Sequence, residues 1–350
     1  MSRLSILVPT HRDDLPSYAR ILQACSCAGP DVEVVIRDNS GSAEKRGRLE
    51  RVRQENCNIA FAPACGRREN YLETLRLAKG EFALFFADDD FCFERTVAAL
   101  PEIIAGIAGD ASVAGISGIW TLESVHRSAV MNFQNLEHSD PATRVADYLS
   151  YKGPNVLFYS VVRRRLFQKS LELIASMPFA LPFHERLACL YWLTSGKFIK
   201  IKRLLYLYEC GEAETAERPA KDAVFYAAAG LDPALDRLHW FLCGFEGAAL
   251  VKSAAVIPGY TDAQRQAVAD RWFAVMFQRF RAGGRPNFES RLGGEADRLC
   301  ERLKASAGRF SFQDMLNDVC NFIALSSKDA ASRYHDFWMP ILARRNAAAE

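Results

Sequence analysis

Residues 82–90 read Phe82-Ala-Leu-Phe-Phe-Ala-Asp-Asp-Asp90. An unbroken apolar run that ends in carboxylates is the pattern of a strand buried on both faces. Charge is tolerated only where such a chain leaves the sheet. The same pattern recurs upstream. Leu4-Ser-Ile-Leu-Val8 stops at Pro9-Thr10, Val32-Glu-Val-Val-Ile36 stops at Asp38-Asn-Ser-Gly-Ser42, and Asn58 to Phe61 is a further run. Helical patterns separate them. Asp13-Asp14 before Pro16 reads as a helix start, and Leu15, Tyr18, Leu22 and Cys25 then recur at helical spacing as its expected buried face. A polar, basic helix is expected from about Ser42 to Glu55, and another over Tyr71, Leu75 and Ala78, closed by Gly80.

Strands alternating with helices predict an open, mainly parallel sheet with helices on its faces. Sheets of this kind bind ligands beyond the carboxyl ends of their strands. Three polar clusters fall there: Pro9-Thr-His-Arg-Asp13, Asp38-Asn-Ser40 and Asp88-Asp-Asp90. Asp88, Asp89 and Asp90 repel one another unless something cationic joins them. A hard divalent ion, Mg²⁺ or Mn²⁺, is the natural partner, because it binds carboxylate oxygens and keeps positions open for phosphates. The plainer reading is a solvated acidic turn capping the next helix. Asp38 either accepts hydrogen bonds from a ribose or base edge, or simply closes an Asx turn. No G-x-G-x-x-G follows the first strand, and neither G-x-x-x-x-G-K-[ST] nor G-x-S-x-G occurs. That speaks against dinucleotide, P-loop and hydrolase-elbow chemistry.

Beyond residue 100 the pattern is mixed. Ser112 to Trp120 and Asn155 to Val162 read as strands, and Glu185 to Ser195 as a helix closed by Gly196. From about 223 helix follows helix. Two domains are expected, 1–222 and 223–350, with a soft boundary near Glu217-Arg-Pro-Ala220. The chain of 350 residues is 49% hydrophobic and 25% charged, as ordinary globular proteins are. Its 44 Lys and Arg against 42 Asp and Glu leave a net charge of +2, too balanced for a general nucleic-acid binder. No apolar window is long enough for a membrane span, and a cytoplasmic location is expected. The ten cysteines form no Cys-x-x-Cys and are expected to be reduced and mostly buried.

Taken in order, Leu4-Ser-Ile-Leu-Val-Pro-Thr-His11, Val34-Val-Ile-Arg-Asp-Asn-Ser40, Glu69-Asn-Tyr71 and Ala78-Lys-Gly-Glu-Phe-Ala-Leu-Phe-Phe-Ala-Asp-Asp-Asp90 resemble the family 2 glycosyltransferases of GT-A fold, in particular the bacterial branch that builds surface polysaccharides. The resemblance covers about the first hundred residues. It implies a GT-A-like nucleotide-sugar-binding domain followed by an α-helical C-terminal domain. It also implies transfer of a sugar from a nucleotide donor, a UDP-sugar by default, to a hydroxyl of a glycan or lipid-linked glycan, with inversion.

Residue by residue, Pro9, Thr10 and Asp38 match positions around the base and ribose, and Asn70 matches an asparagine in the helix before the acidic strand. Asp88 and Asp90 match the ends of the DXD motif. Asp88 would lie nearer the ribose with Asp89 beside it, and Asp90 would bind the metal that bridges the diphosphate. Arg12 either approaches the diphosphate or is a solvated loop residue. The family's catalytic base is an acidic residue opening a later helix. Pro182-Phe-His-Glu-Arg-Leu187 stands at that place, with His184 where the family has a second acid, so the base falls on Glu185 or His184. Gly153-Pro154 and Asn155 could line an acceptor groove.

Residues 265–309 hold ten Lys/Arg against five Asp/Glu, with Trp272, Phe273, Phe277 and Phe280 interleaved. This predicts either peripheral contact with an anionic membrane or a core-packed helix whose arginines reach water. Two other functions fit parts of the pattern. One is a sugar-phosphate nucleotidylyltransferase, which would want a glycine-rich loop after the first strand. The other is a non-catalytic carbohydrate-binding or scaffold subunit. Oligomeric state is not legible.

Overall fold

The computed structural model describes residues 3–123, 128–151, 155–209, 218–253, 259–283, 290–305 and 311–343. In chain order the elements are β1 (Leu4–Thr10), α1 (Leu15–Ser26), β2 (Val32–Asp38), α2 (Ala43–Arg51), β3 (Cys57–Phe61), α3 (Arg67–Leu77), β4 (Phe82–Phe85), β5 (Phe91–Cys92), α4 (Glu94–Ile107), β6 (Val113–Glu123) and β7 (Ser128–Met131). There follow α5 (Pro141–Ser150), β8 (Val161–Arg163), α6 (Arg164–Ser176), α7 (His184–Ser195), β9 (Lys197–Glu209), α8 (Arg218–Ala228), α9 (His239–Lys252), α10 (Asp262–Ala282), α11 (Gly293–Ala305), α12 (Phe312–Ala324) and α13 (Lys328–Ala343). Two compact units form. The first comprises Met1–Asp140, Lys152–Ala175 and Ser195–Glu214; the second comprises Pro141–Tyr151, Ser176–Thr194 and Thr215–Glu350.

The first unit is built on a sheet of nine strands among the described residues, in the order β3-β2-β1-β4-β8-β6-β9-β5, with β7 on β6. β3, β2, β1 and β4 are mutually parallel, and β8 and β5 run antiparallel to their neighbours. Every residue of β1 and β4 is buried, as the absence of alternation in their sequences required. The chain leaves β1 through α1 toward β2, then returns through α3 to β4 on the other side. Strand order therefore reverses between β1 and β4, and it is at the carboxyl ends of strands at such a reversal that sheets of this kind bind ligands. Thr10 and the acidic turn after β4 stand there.

Gly80 has a different role from the expected one. α3 ends at Leu77, and Gly80 lies where β1 passes closest: a Cβ on it would sit 2.5 Å from Ser5 Oγ. Its N–H donates to Ser5 Oγ and to the buried Glu33 carboxylate, both at 2.9 Å.

Two further sequence expectations change. The buried face of α1 is Ser17, Ile21, Ala24 and Cys25, while Leu15 and Leu22 are 68% and 37% exposed. The phase is set by Asp14, which caps the helix by accepting the Ser17 N–H at 2.7 Å, and by small residues that let the helix approach the sheet. The run 155–162 is mostly not strand: Val156–Tyr159 is a 3₁₀ turn and only Val161–Arg163 pairs. A short apolar run fits either state. Here the choice follows from Phe158 and Tyr159 joining a ring cluster with Phe85 and Tyr206, at centroid distances of 4.7–5.9 Å. Gly153-Pro154 lies outside the described residues, as do Cys210, Glu217, Arg285, Glu289 and Arg309.

The second unit is helical. α9 and α10 touch closely because Gly244 and Gly247 leave room: a Cβ on Gly247 would sit 2.3 Å from Trp272 Nε1. The Trp272 indole donates to the Cys243 carbonyl at 2.8 Å and lies parallel to Tyr148. Trp272, Phe277 and Phe280 are buried in the unit's core, and Phe273 is half-buried. Among the described residues no helix is long and apolar enough to cross a membrane.

Candidate functional site

The site is assembled at the ends of β1, β2 and β4 in the first unit. Thr10 closes β1 in register with Asp38, which closes β2. The Thr10 hydroxyl donates to Asp88 Oδ2 at 2.5 Å, joining the ends of β1 and β4. Pro9 is buried within β1 opposite Arg37. Asp38 closes the Asx turn, accepting the Ser40 N–H at 3.2 Å and the Ser40 hydroxyl at 3.0 Å. Asn70 supports that loop. It accepts from Arg37 at 2.5 Å and donates to Asn39 Oδ1 at 3.0 Å, while Asn39 donates to the Cys65 carbonyl at 3.0 Å.

Two cations meet these carboxylates. Arg12 lies 2.6 Å from Asp89 Oδ2 and 3.8 Å from Asp88 Oδ1, so it is an ion-pair partner of the acidic turn and not a free loop arginine. Lys45 was not singled out from the sequence. It is almost wholly buried, with its ammonium 2.9 Å from Asp38 Oδ1 and donating to Thr10 Oγ1 at 2.7 Å and to the Arg12 carbonyl. The signal for it is positional. Lys45 and Leu49, four apart, form the buried stripe of an otherwise solvated α2, and a lysine on a buried stripe needs an acid.

Asp90 is buried, and its Oδ2 accepts the Tyr206 hydroxyl at 2.9 Å; the same hydroxyl accepts the Ala87 N–H at 3.0 Å. Tyr206, in β9, thus clamps both ends of the turn. Burial, and next the charge of Asp90, holds its hydroxyl well above the ordinary tyrosine value, so it remains a donor. From the sequence Tyr206 reads as packing. Its partner is 116 residues away, beyond any local pattern.

Burial raises the Asp88 carboxyl above its ordinary value, against the lowering effects of Thr10 and Arg12. An acid whose folded pKa exceeds its unfolded one binds its proton more tightly in the folded state. Its ionised form therefore costs stability, and the cost vanishes as pH falls through the folded value. Asp88→Asn is expected to raise the melting temperature at pH 7 and to leave it unchanged near pH 3, which thermal melts across pH would read. A melting temperature that falls at pH 7 would contradict it.

Among the described residues no three His, Cys, Asp or Glu side chains converge on one point. The donors therefore do not fit an all-protein metal cage. They do fit an ion held by one or two carboxylates and completed by phosphate oxygens, the usual arrangement for Mg²⁺. Buried, incompletely neutralised Asp88 is the carboxylate that such an ion would relieve.

The candidate bases lie in the second unit. Glu185 is in the first turn of α7. His184 is buried, with Nε2 3.0 Å from Glu246 Oε2 and Nδ1 accepting the Leu181 N–H at 3.4 Å. Tyr334 donates to the other Glu246 oxygen at 2.8 Å.

No protein-family model matches the sequence, and neither does any curated protein. Solved structures do. Residues 1–349 of TarS from S. aureus superpose with a TM-score of 0.53 at 13% identity, covering 99% of this chain and 92% of that one. The chain shares the fold of TarS 1-349. TarS 1-349 is also seen in complex with UDP-GlcNAc (TM-score 0.45, 15% identity, 87% and 91% covered). A mannosyltransferase from Pyrobaculum calidifontis, in complex with GDP-Man and Mn²⁺, gives a TM-score of 0.45 at 11% identity, with 99% and 88% covered. The mixed α/β sheet and the helical C-terminal region both belong to the fold shared with TarS 1-349.

Proposed function

We propose that this protein transfers a sugar from a nucleotide-sugar to a hydroxyl of a glycan or lipid-linked glycan, with inversion. The observation that carries the reading is the acidic turn at the β1–β4 reversal, its Asp88 and Asp90 buried and the turn braced by Thr10, Arg12 and Tyr206, in a chain that shares the fold of TarS 1-349. The carboxyl ends of strands at a strand-order reversal are where sheets of this kind take a nucleotide.

In this reading Pro9, Thr10 and Asp38 flank the base and ribose. Asn70 holds the loop that carries Asp38, and Asp88 lies toward the ribose, with Asp89 beside it. Asp90 and Asp88 would hold Mg²⁺ or Mn²⁺. When bound, that ion supplies positive charge that stabilises the departing nucleoside diphosphate. Arg12 sits on the same turn and adds a second positive charge. Glu185 takes the proton from the acceptor hydroxyl as its oxygen attacks the anomeric carbon from the face opposite the leaving group. His184, engaged at both nitrogens, holds the start of α7. UDP-GlcNAc, the ligand seen with TarS, is the first donor to test.

A thermal-shift screen of UDP, GDP, dTDP and CMP, each with and without Mn²⁺, tests the reading. One nucleotide is expected to raise the melting temperature in the presence of metal. At a hundredfold excess over its Kd it adds about 2.7 kcal/mol, a shift of several degrees. A flat response to all four would refute the nucleotide-sugar reading.

A further inference from the structure

Two pairs of thiols lie at the C-terminal end of α1. Cys25, in its last turn, has its sulfur 3.4 Å from that of Cys57 in β3. Cys27, which caps the helix, has its sulfur 4.0 Å from that of Cys92 in β5. All four are free thiols, and among the described residues no three-ligand metal cluster forms, so these are pairs and not a four-thiolate centre.

Their access differs. Cys25 and Cys57 are each 5% exposed. Cys27 is half-buried and lines an open cavity of about 740 Å³ with Ser26, Asp31, Glu94 and Arg95. Cys92 lies behind it, 2% exposed. The cavity is large enough for a small peptide.

We propose that Cys27 and Cys92 form a redox pair that takes oxidants of the disulfide class, with Cys27 attacking and Cys92 resolving. The Cys27 thiolate attacks one sulfur of glutathione disulfide; a mixed disulfide forms and one glutathione thiolate leaves. The Cys92 thiolate then attacks the Cys27 sulfur and expels the second. The protein loses two electrons and two protons, and one glutathione disulfide becomes two glutathione thiols. The order follows from exposure.

The pair is wired to the acidic turn. Cys92 is in register with Tyr206, whose hydroxyl holds Asp90 and Ala87. α1 already grips β5 here. Gln23 donates to the Cys92 carbonyl at 3.2 Å, and the Arg20 guanidinium lies over the Phe91 ring. A Cys27–Cys92 disulfide makes this grip covalent at a strand that begins one residue after Asp90, so oxidation stiffens the turn. None of this depends on the transferase reading.

The test is to incubate the native full chain with glutathione disulfide, block free thiols, digest without reductant and map the peptides by mass spectrometry. The expected product is a Cys27–Cys92 crosslink that dithiothreitol reverses, with amide hydrogen exchange in residues 86–92 slowed roughly tenfold. Cys92→Ser is expected to trap a stable glutathione adduct on Cys27, and Cys27→Ser to leave Cys92 unmodified. An uncrosslinked adduct persisting on Cys27 of the unsubstituted protein, a Cys25–Cys57 crosslink appearing first, or thiols that do not react at all would each overturn the pair. Unchanged exchange in residues 86–92 after crosslinking would overturn its coupling to the turn.

Discussion

Asp90→Asn is expected to abolish sugar transfer, by about a thousandfold or more, while the protein stays folded. Asparagine keeps the shape and still accepts the Tyr206 hydroxyl, now met at 2.9 Å, so the clamp on the turn survives. What is lost is one full charge at the place where the proposed diphosphate departs. Electrostatic stabilisation of a leaving group contributes several kcal/mol, and about 4 kcal/mol is a factor of a thousand in rate. Asp90→Ala loses the same charge and also leaves the buried Tyr206 hydroxyl without its acceptor, at an added cost of about 1–3 kcal/mol in stability. Transfer from UDP-GlcNAc, urea unfolding and Mn²⁺ titration read the three effects separately. If Asp90→Asn transfers sugar at the unsubstituted rate, the acidic turn is only a structural feature; if the unsubstituted protein binds glycan but transfers no sugar, a carbohydrate-binding or scaffold role is the better account.

The second large effect concerns Glu185. Glu185→Gln is expected to lower kcat by about 10²–10⁴, the usual contribution of a general base. The nucleotide-induced thermal shift should not change, because every residue proposed to bind the nucleotide belongs to the other compact unit. His184→Gln provides the contrast. It disturbs the buried Glu246 carboxylate, which Tyr334 also holds, and is expected to cost stability. If His184→Gln folded normally and lost kcat while Glu185→Gln kept it, the base would be His184.

The acidic strand, the βα alternation and the clustering of Thr10, Asp38 and Asp88 were legible because they depend on short-range patterns. An apolar run with no alternation has to be buried on both faces, and its polar end has to emerge from the sheet. The helix face of α1 was misread because apolar spacing alone cannot weigh a cap against a small residue. Ser17 and Ala24 pack inward while Leu22 does not, and the reason is close approach to the sheet, not hydrophobicity. The run 155–162 was misread because its rings are drawn into a cluster with Phe85 and Tyr206, from elements far apart in the chain.

Local order alone therefore determined the alternating strands β1 to β4 and the polar residues at their carboxyl ends, since hydrophobic period and turn chemistry act over a few residues; the order of the strands, and with it the reversal between β1 and β4, came from the sheet's pairing. Only the tertiary structure decided how that cluster of negative charge is held. Lys45 reaches Asp38 and Thr10 from a helix, Arg12 folds onto Asp88 and Asp89, and Tyr206 ties down Asp90 from a strand more than a hundred residues on. Buried charges need partners wherever they can be found, and pairing across such separations depends on packing, which no local pattern encodes.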